Sequence, residues 1–107
     1  MIVVIARIQT TPEHRDELLE VAHTMCRASR EEDGCLGYRI HEDTEEPNHF
    51  VFIEEWQDDE AIQRHFAQPH TADFMGAFPG LLDGPIDLKF HTVERTQTLG
   101  RGGLVDA

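Results

Sequence analysis

Two segments of this chain are apolar at every position, and that restricts its fold more than any other feature. Ile2-Val3-Val4-Ile5-Ala6 leads into Arg7-Ile8, and Phe50-Val51-Phe52-Ile53 repeats the pattern before Trp56. Successive side chains of a strand point to opposite faces, so these runs read as strands covered on both sides. The rest of the chain supplies only two helical segments, enough to cover one face of a sheet. The other face must pack on something, and a second copy of the same sheet is the simplest cover. The expectation is a homodimer whose sheets meet face to face.

The remaining elements follow from spacing and punctuation. Thr11 is placed to cap a helix, with Pro12 at its first position and Glu13, Asp16 and Glu17 at its positive end. Leu18, Val21, Ala22, Met25 and Cys26 recur at helical spacing, so 12–32 is expected to be a helix that stops at Gly34. Leu36 to Glu42 reads as a second strand, with Leu36, Tyr38 and Ile40 on one face and Arg39 and His41 on the other. A polar turn, Asp43 to Asn48, leads to the third strand.

Asp58 is a plausible cap for a short helix carrying Ile62 and Phe66, and Pro69 interrupts that helix. A second helical piece carries Phe74, Ala77 and Phe78 up to Pro79-Gly80. Ile86 to Val93 alternates as a fourth strand. The order β-α-β-β-α-β is the ferredoxin-like α+β arrangement. It divides the chain into a domain over 1–95 and a Gly-rich tail over 96–107, flexible or in contact with a partner.

Charge narrows the partners. Among 107 residues, 21 Asp and Glu face 9 Lys and Arg, a net charge of −12. That argues against nucleic acid, whose binding rests on phosphate neutralisation, and against an anionic membrane surface. No apolar run approaches the ~20 residues of a membrane span, and no signal-peptide pattern opens the chain, so a cytoplasmic protein is expected. Cys26 and Cys35 form no CxxC pair and are expected to be reduced thiols.

The richest stretch for chemistry is Glu54-Glu55-Trp56, followed by His65, His70 and Phe74. Trp56, the single tryptophan, is either core or the wall of a pocket between sheet and helices, and a pocket wall is also core. His65 and His70 lie five apart around Pro69, so they share no face of one regular helix. A metal site would need a third ligand such as Glu54 or His41, and the spacing demands none; no metal is expected. Either histidine has the chemistry of a general base, and either could equally sit at a surface or helix end. The acidic runs, including Glu31-Glu32-Asp33, fall at element ends and read as solvated surface. No nucleotide-cofactor loop or GxSxG is present.

Val4-Ile5-Ala6, Glu32-Asp33-Gly34-Cys35-Leu36-Gly37-Tyr38, Phe52-Ile53-Glu54-Glu55-Trp56 and the His65, Pro69, His70, Phe74 spacing stand in order on the expected elements. With them the chain resembles the antibiotic biosynthesis monooxygenase (ABM) domain family over about residues 2–95, and particularly its quinol-monooxygenase-like members. The resemblance implies a dimeric α+β barrel with a pocket under the helices. It implies oxidation of quinol-like or hydroxylated polycyclic aromatic substrates by molecular oxygen, with no metal, flavin or haem.

On that basis His65 is the base or anion donor and His70 a second polar group at the mouth, the two candidate catalytic residues. Trp56, Phe74, Tyr38 and Glu54 are the candidate substrate-binding residues. The family's haem-degrading branch uses a first-strand Asn, where this chain has Ala6 or Arg7, so haem is disfavoured. A second functional class stays open: a ligand-binding or stress-associated dimeric barrel without catalysis.

Overall fold

A computed structural model describes all residues 1–107. Strand β1 (Ile2–Gln9) is followed by helix α1 (Arg15–Arg30), β2 (Cys35–Glu42) and β3 (His49–Trp56). Two short helices, α2 (Asp59–Phe66) and α3 (Pro69–Ala77), then a 3-10 turn (Phe78–Leu81), lead to β4 (Asp87–Thr92). The sheet has the order β2-β3-β1-β4 with every pairing antiparallel, as a ferredoxin-like fold requires. No helix is long and apolar enough to cross a membrane.

Register assigns the two faces. Ile2, Val4, Ala6 and Ile8 lie beside Trp56, Glu54, Phe52 and Phe50, and all eight are buried beneath the helices. Leu18, Ala22, Met25 and Cys26 of α1 and Ala61 and Ile62 of α2 complete that core. The opposite face carries Val3, Ile5, Val51 and Ile53 in one patch, flanked by Arg7, Arg39, His41 and Lys89. No element of this chain covers it, and Ile53 is 39% exposed there.

Four details differ from the sequence expectations. Helix α1 begins at Arg15, not at Pro12; residues 12–14 form a turn, Thr11 meets only the His14 ring at 3.2 Å, and His14 caps without a side-chain bond. Leu36 does not share the core face with Tyr38. The β2–β3 register slips between Cys35 and Gly37, and this bulge turns Leu36 outward, 59% exposed. Phe66 also points out of the core, half exposed at the end of α2. Finally, the Gly-rich residues beyond 96 form a hairpin of β5 (Gln97–Gly100) and β6 (Gly103–Asp106), apart from the main sheet.

Local chemistry fixes the loops that position the site. Asp58 caps α2 by accepting the Ala61 N–H at 2.9 Å, as expected. Arg15 forks onto Glu42 and donates to Asn48 at 3.0 Å, clamping the β2–β3 turn against α1. The Arg15 hydrogen bond to Glu42, helped by the Asn48 backbone N–H, holds the Glu42 carboxyl down to about 2. Gly34 adopts φ +84°, and its carbonyl accepts from Gln57 N–H at 2.8 Å. A Cβ there would stand 2.6 Å from the Ala61 Cβ, so the α1–β2 loop lies directly against α2. This close approach brings Glu32 to the helical layer.

Candidate active site

A cavity of about 90 Å³ lies between the covered sheet face and α2–α3. Tyr38, Phe52, Glu54, His65, Thr71 and Phe74 are among its lining residues. Its mouth is framed by Phe66, Met75, Leu88 and Phe90, all roughly half exposed. Leu88 and Phe90 belong to edge strand β4, whose helix-facing side has no helix directly above it. The result is a small apolar chamber with an apolar rim and a few polar groups in its wall, the general character of a small-molecule site.

His65 is on the inward face of α2 with Ala61 and Ile62, and it is 4% exposed. Its ring packs on Trp56 (centroids 4.7 Å apart) and on Tyr38 (5.6 Å). Pro69 opens α3 after a two-residue break, and this turn swings His70 back toward α1. Both histidines converge on one carboxylate oxygen: Glu32 Oε2 lies 2.7 Å from His65 Nδ1 and 2.8 Å from His70 Nε2. An ionised carboxylate has only lone pairs to offer, so the nitrogens facing it carry the protons. His65 is thereby held in the Nδ1–H form, with Nε2 left as its free nitrogen.

Glu54 is the second polar group. Its carboxyl is almost fully buried, and burial pushes it up to about 7, against the Trp56 Nε1–H bond at 2.9 Å and the Tyr38 hydroxyl, which favour the charge. Burial, reinforced by Glu54, drives the Tyr38 phenol well above its ordinary range, so it stays protonated. Burial likewise pushes the Cys35 thiol up to about 11, which removes it as a nucleophile at neutral pH.

The structure therefore sets Tyr38, Glu54, His65 and Phe74 around one cavity. Trp56 does not reach its wall: it is fully buried behind Glu54 and His65 and acts through them. His70 is also off the cavity and faces a solvent groove behind Glu32. His41 and Arg39 lie on the opposite sheet face, far from this chemistry. Glu32, read from sequence as solvated surface, is instead nine-tenths buried and is the residue on which the two histidines meet. Glu31 and Asp33 on either side of it stay exposed, so nothing local in the acidic run marks it out.

A raised carboxyl has a definite pH signature. Below about 4.5 Glu54 is protonated in both folded and unfolded chains; between 4.5 and 7 the folded chain holds the extra proton. Folding stability is therefore lost as pH rises through 7. A Glu54→Gln variant should lack this loss, and its Tm advantage over the parent should grow from pH 5 to pH 8. A difference that stays constant across that range would contradict the burial of an ionisable Glu54. Glu42, held down to about 2, acts at lower pH and does not overlap this window.

A family model described as antibiotic biosynthesis monooxygenase matches residues 1–77. The chain belongs to the ABM family. YcnE of Bacillus subtilis, named as a candidate monooxygenase, is 36% identical over 88 residues, covering 82% of this chain and 93% of its own. A crystal structure of an antibiotic biosynthesis monooxygenase candidate from Deinococcus radiodurans superposes with a TM-score of 0.83 at 26% identity, over 90% of this chain and 95% of that one. SnoaB of Streptomyces nogalater, described as a cofactor-independent oxygenase, shares the fold, with a TM-score of 0.77 over 89% of this chain and 94% of its own, at 19% identity. In class this ABM protein is monooxygenase-like, and its ferredoxin-like fold is the one these relatives share.

Proposed function

We propose that this ABM protein oxidises a small phenolic or quinol-like aromatic with molecular oxygen, without a cofactor. The observation that carries this is the Glu32-oriented His65, which lines an apolar cavity together with Glu54 and Tyr38. His65 takes the phenolic proton, and Glu32 stabilises the imidazolium that forms. When Glu54 is protonated it can donate to the Tyr38 oxygen, which frees the neutral Tyr38 hydroxyl to donate to the phenolate oxygen. The electron-rich ring then reduces oxygen directly.

When a phenol becomes a para-quinone, one oxygen atom enters the ring and the other leaves as water. The substrate supplies all four electrons, so no external reductant is needed. Glu54, whose carboxyl burial pushes up to about 7, then protonates the departing hydroxide.

Size selects within that class. The cavity of about 90 Å³ is smaller than the ~150 Å³ that admits benzene in an engineered core. A single ring asks the smallest expansion of this cavity, with the half-exposed Phe66 and Met75 at its mouth the side chains freest to shift. Oxygen uptake with a panel of single-ring hydroquinones and phenols tests the proposal. Substrate loss is expected in air and not under argon. Equal, negligible loss in both would favour the binding-module alternative.

The patch of Val3, Ile5, Val51 and Ile53 supports the face-to-face homodimer. Sedimentation should return twice the 12.2 kDa chain mass. Ile53→Asp, which sets a charge in the middle of the apolar patch, should halve it. A parent chain that sediments as a monomer would exclude this assembly.

A further inference from the structure

The meeting of Glu32, His65 and His70 has a use beyond orienting a base. The geometry points to a binding site for one divalent transition-metal ion of the zinc class, held by Glu32, His65 Nδ1 and His70 Nε2. The three donors come from three separate elements: the loop after α1, helix α2 and helix α3. Their donor atoms all lie within 4.8 Å of one another. Bonds of about 2.0–2.2 Å to a tetrahedral ion set its ligands roughly 3.3 Å apart. The two oxygen–nitrogen contacts, 2.7 and 2.8 Å, therefore need to open by only about half an ångström.

A second observation points the same way. Glu32 Oε1, the other oxygen of the carboxylate, is buried without a hydrogen-bond partner in the protein. Buried polar atoms are seldom left so, and this one is free to turn toward an ion without losing a bond. His70 is a quarter exposed, and the groove behind it, about 280 Å³, runs past Glu31, Asp33 and Gln68 to solvent. Two acidic side chains line this route; Arg64, its one cation, donates to the Asp33 carbonyl at 3.5 Å.

The donor set decides the metal. Two imidazoles and one carboxylate suit zinc, cobalt, nickel and copper and are poor ligands for magnesium or calcium. Three protein ligands leave a fourth position open. The two protons now shared with Glu32 move to the far nitrogen of each ring as the ion takes their place, and binding weakens in acid because protonation of the imidazoles competes with the metal. With metal on Nδ1, the proton of neutral His65 moves to Nε2. On the proposed function, which this consequence alone rests on, the loaded protein has lost its base and metal inhibits turnover.

Binding is tested on the untagged, chelator-treated full chain by calorimetric titration with zinc and by the visible bands of added cobalt. One ion per chain is expected, with cobalt bands of a low-symmetry nitrogen–oxygen site. Glu32→Gln and His70→Ala should each weaken binding roughly 100-fold or more, while His41→Ala, on the far sheet face, should not. His70 is at the surface, so its variant tests the site even if Glu32→Gln fails to fold. No zinc uptake at about 100 μM, or uptake undiminished in His70→Ala, overturns the proposal. Either result leaves the oxygenase reading standing, because oxygen uptake by the metal-free chain is measured separately.

Discussion

His65→Ala is expected to lower aerobic turnover of a responsive phenol or hydroquinone by about 10²- to 10⁴-fold, the range over which a positioned base accelerates proton transfer. The loss should fall on kcat, because the imidazole acts on the proton in the transition state and offers little to an apolar ring at rest. The side chain is also part of the core, packed at a tilt on Trp56 and 4% exposed. A His65→Gln variant, closer in volume, therefore accompanies it, with near-ultraviolet circular dichroism to show that the aromatic core is retained. Glu32→Gln should fall part of the way, since an amide still touches the ring but no longer stabilises an imidazolium. If His65→Ala turns over like the parent, the base lies elsewhere, and Glu54 is the remaining cavity group able to serve.

The second large effect is on stability. Trp56→Ala should cost about 3–5 kcal/mol, the usual range for emptying a buried large aromatic site. That corresponds to a fall in Tm of more than ~10 °C for a domain of this size. Trp56 is fully buried at the end of β3, packs edge-on against Tyr38 and lies at a tilt against His65. Its indole N–H also donates to Glu54. Trp56→Phe keeps an aromatic in the space and should cost less, but it removes one of the two hydrogen bonds that favour the Glu54 charge. The Glu54 carboxyl should then titrate higher than in the parent, which carboxyl-carbon NMR reads directly. Loss of stability in Trp56→Ala with no change at Glu54 in Trp56→Phe would separate the packing role from the electrostatic one.

The fold was legible because its strongest determinants are local and repeated. Strands apolar at both parities, a helix start before each helical run and a glycine or proline at each stop all favour one topology. What local pattern could not reveal is where the chain slips. Leu36 obeys the alternation of β2, yet the bulge at its start puts it in solvent, and a bulge leaves no periodic trace.

The C-terminal hairpin had a signal that was outweighed by glycine content. Thr98-Leu99 and Leu104-Val105 bracket a tight turn at Arg101-Gly102. The site was half legible. His65, Tyr38, Glu54 and Phe74 were singled out from sequence and do share one cavity. Trp56 sits one layer deeper, because its size and its indole donor are both satisfied within the core. Glu32 was missed because an acid in an acidic run resembles surface. Only the tertiary approach of the Gly34 turn to α2, long-range in sequence, buries it.

The proposed chemistry depends on a proton at His65 Nδ1 and none at Nε2. Long-range nitrogen–proton correlation NMR of the metal-free chain at neutral pH distinguishes the two imidazole nitrogens of His65. Nδ1 is expected to carry the proton toward Glu32 and Nε2 to be bare, and Glu32→Gln is expected to disturb that state. His65 found with its proton on Nε2, or exchanging freely between both nitrogens in the parent, would contradict it.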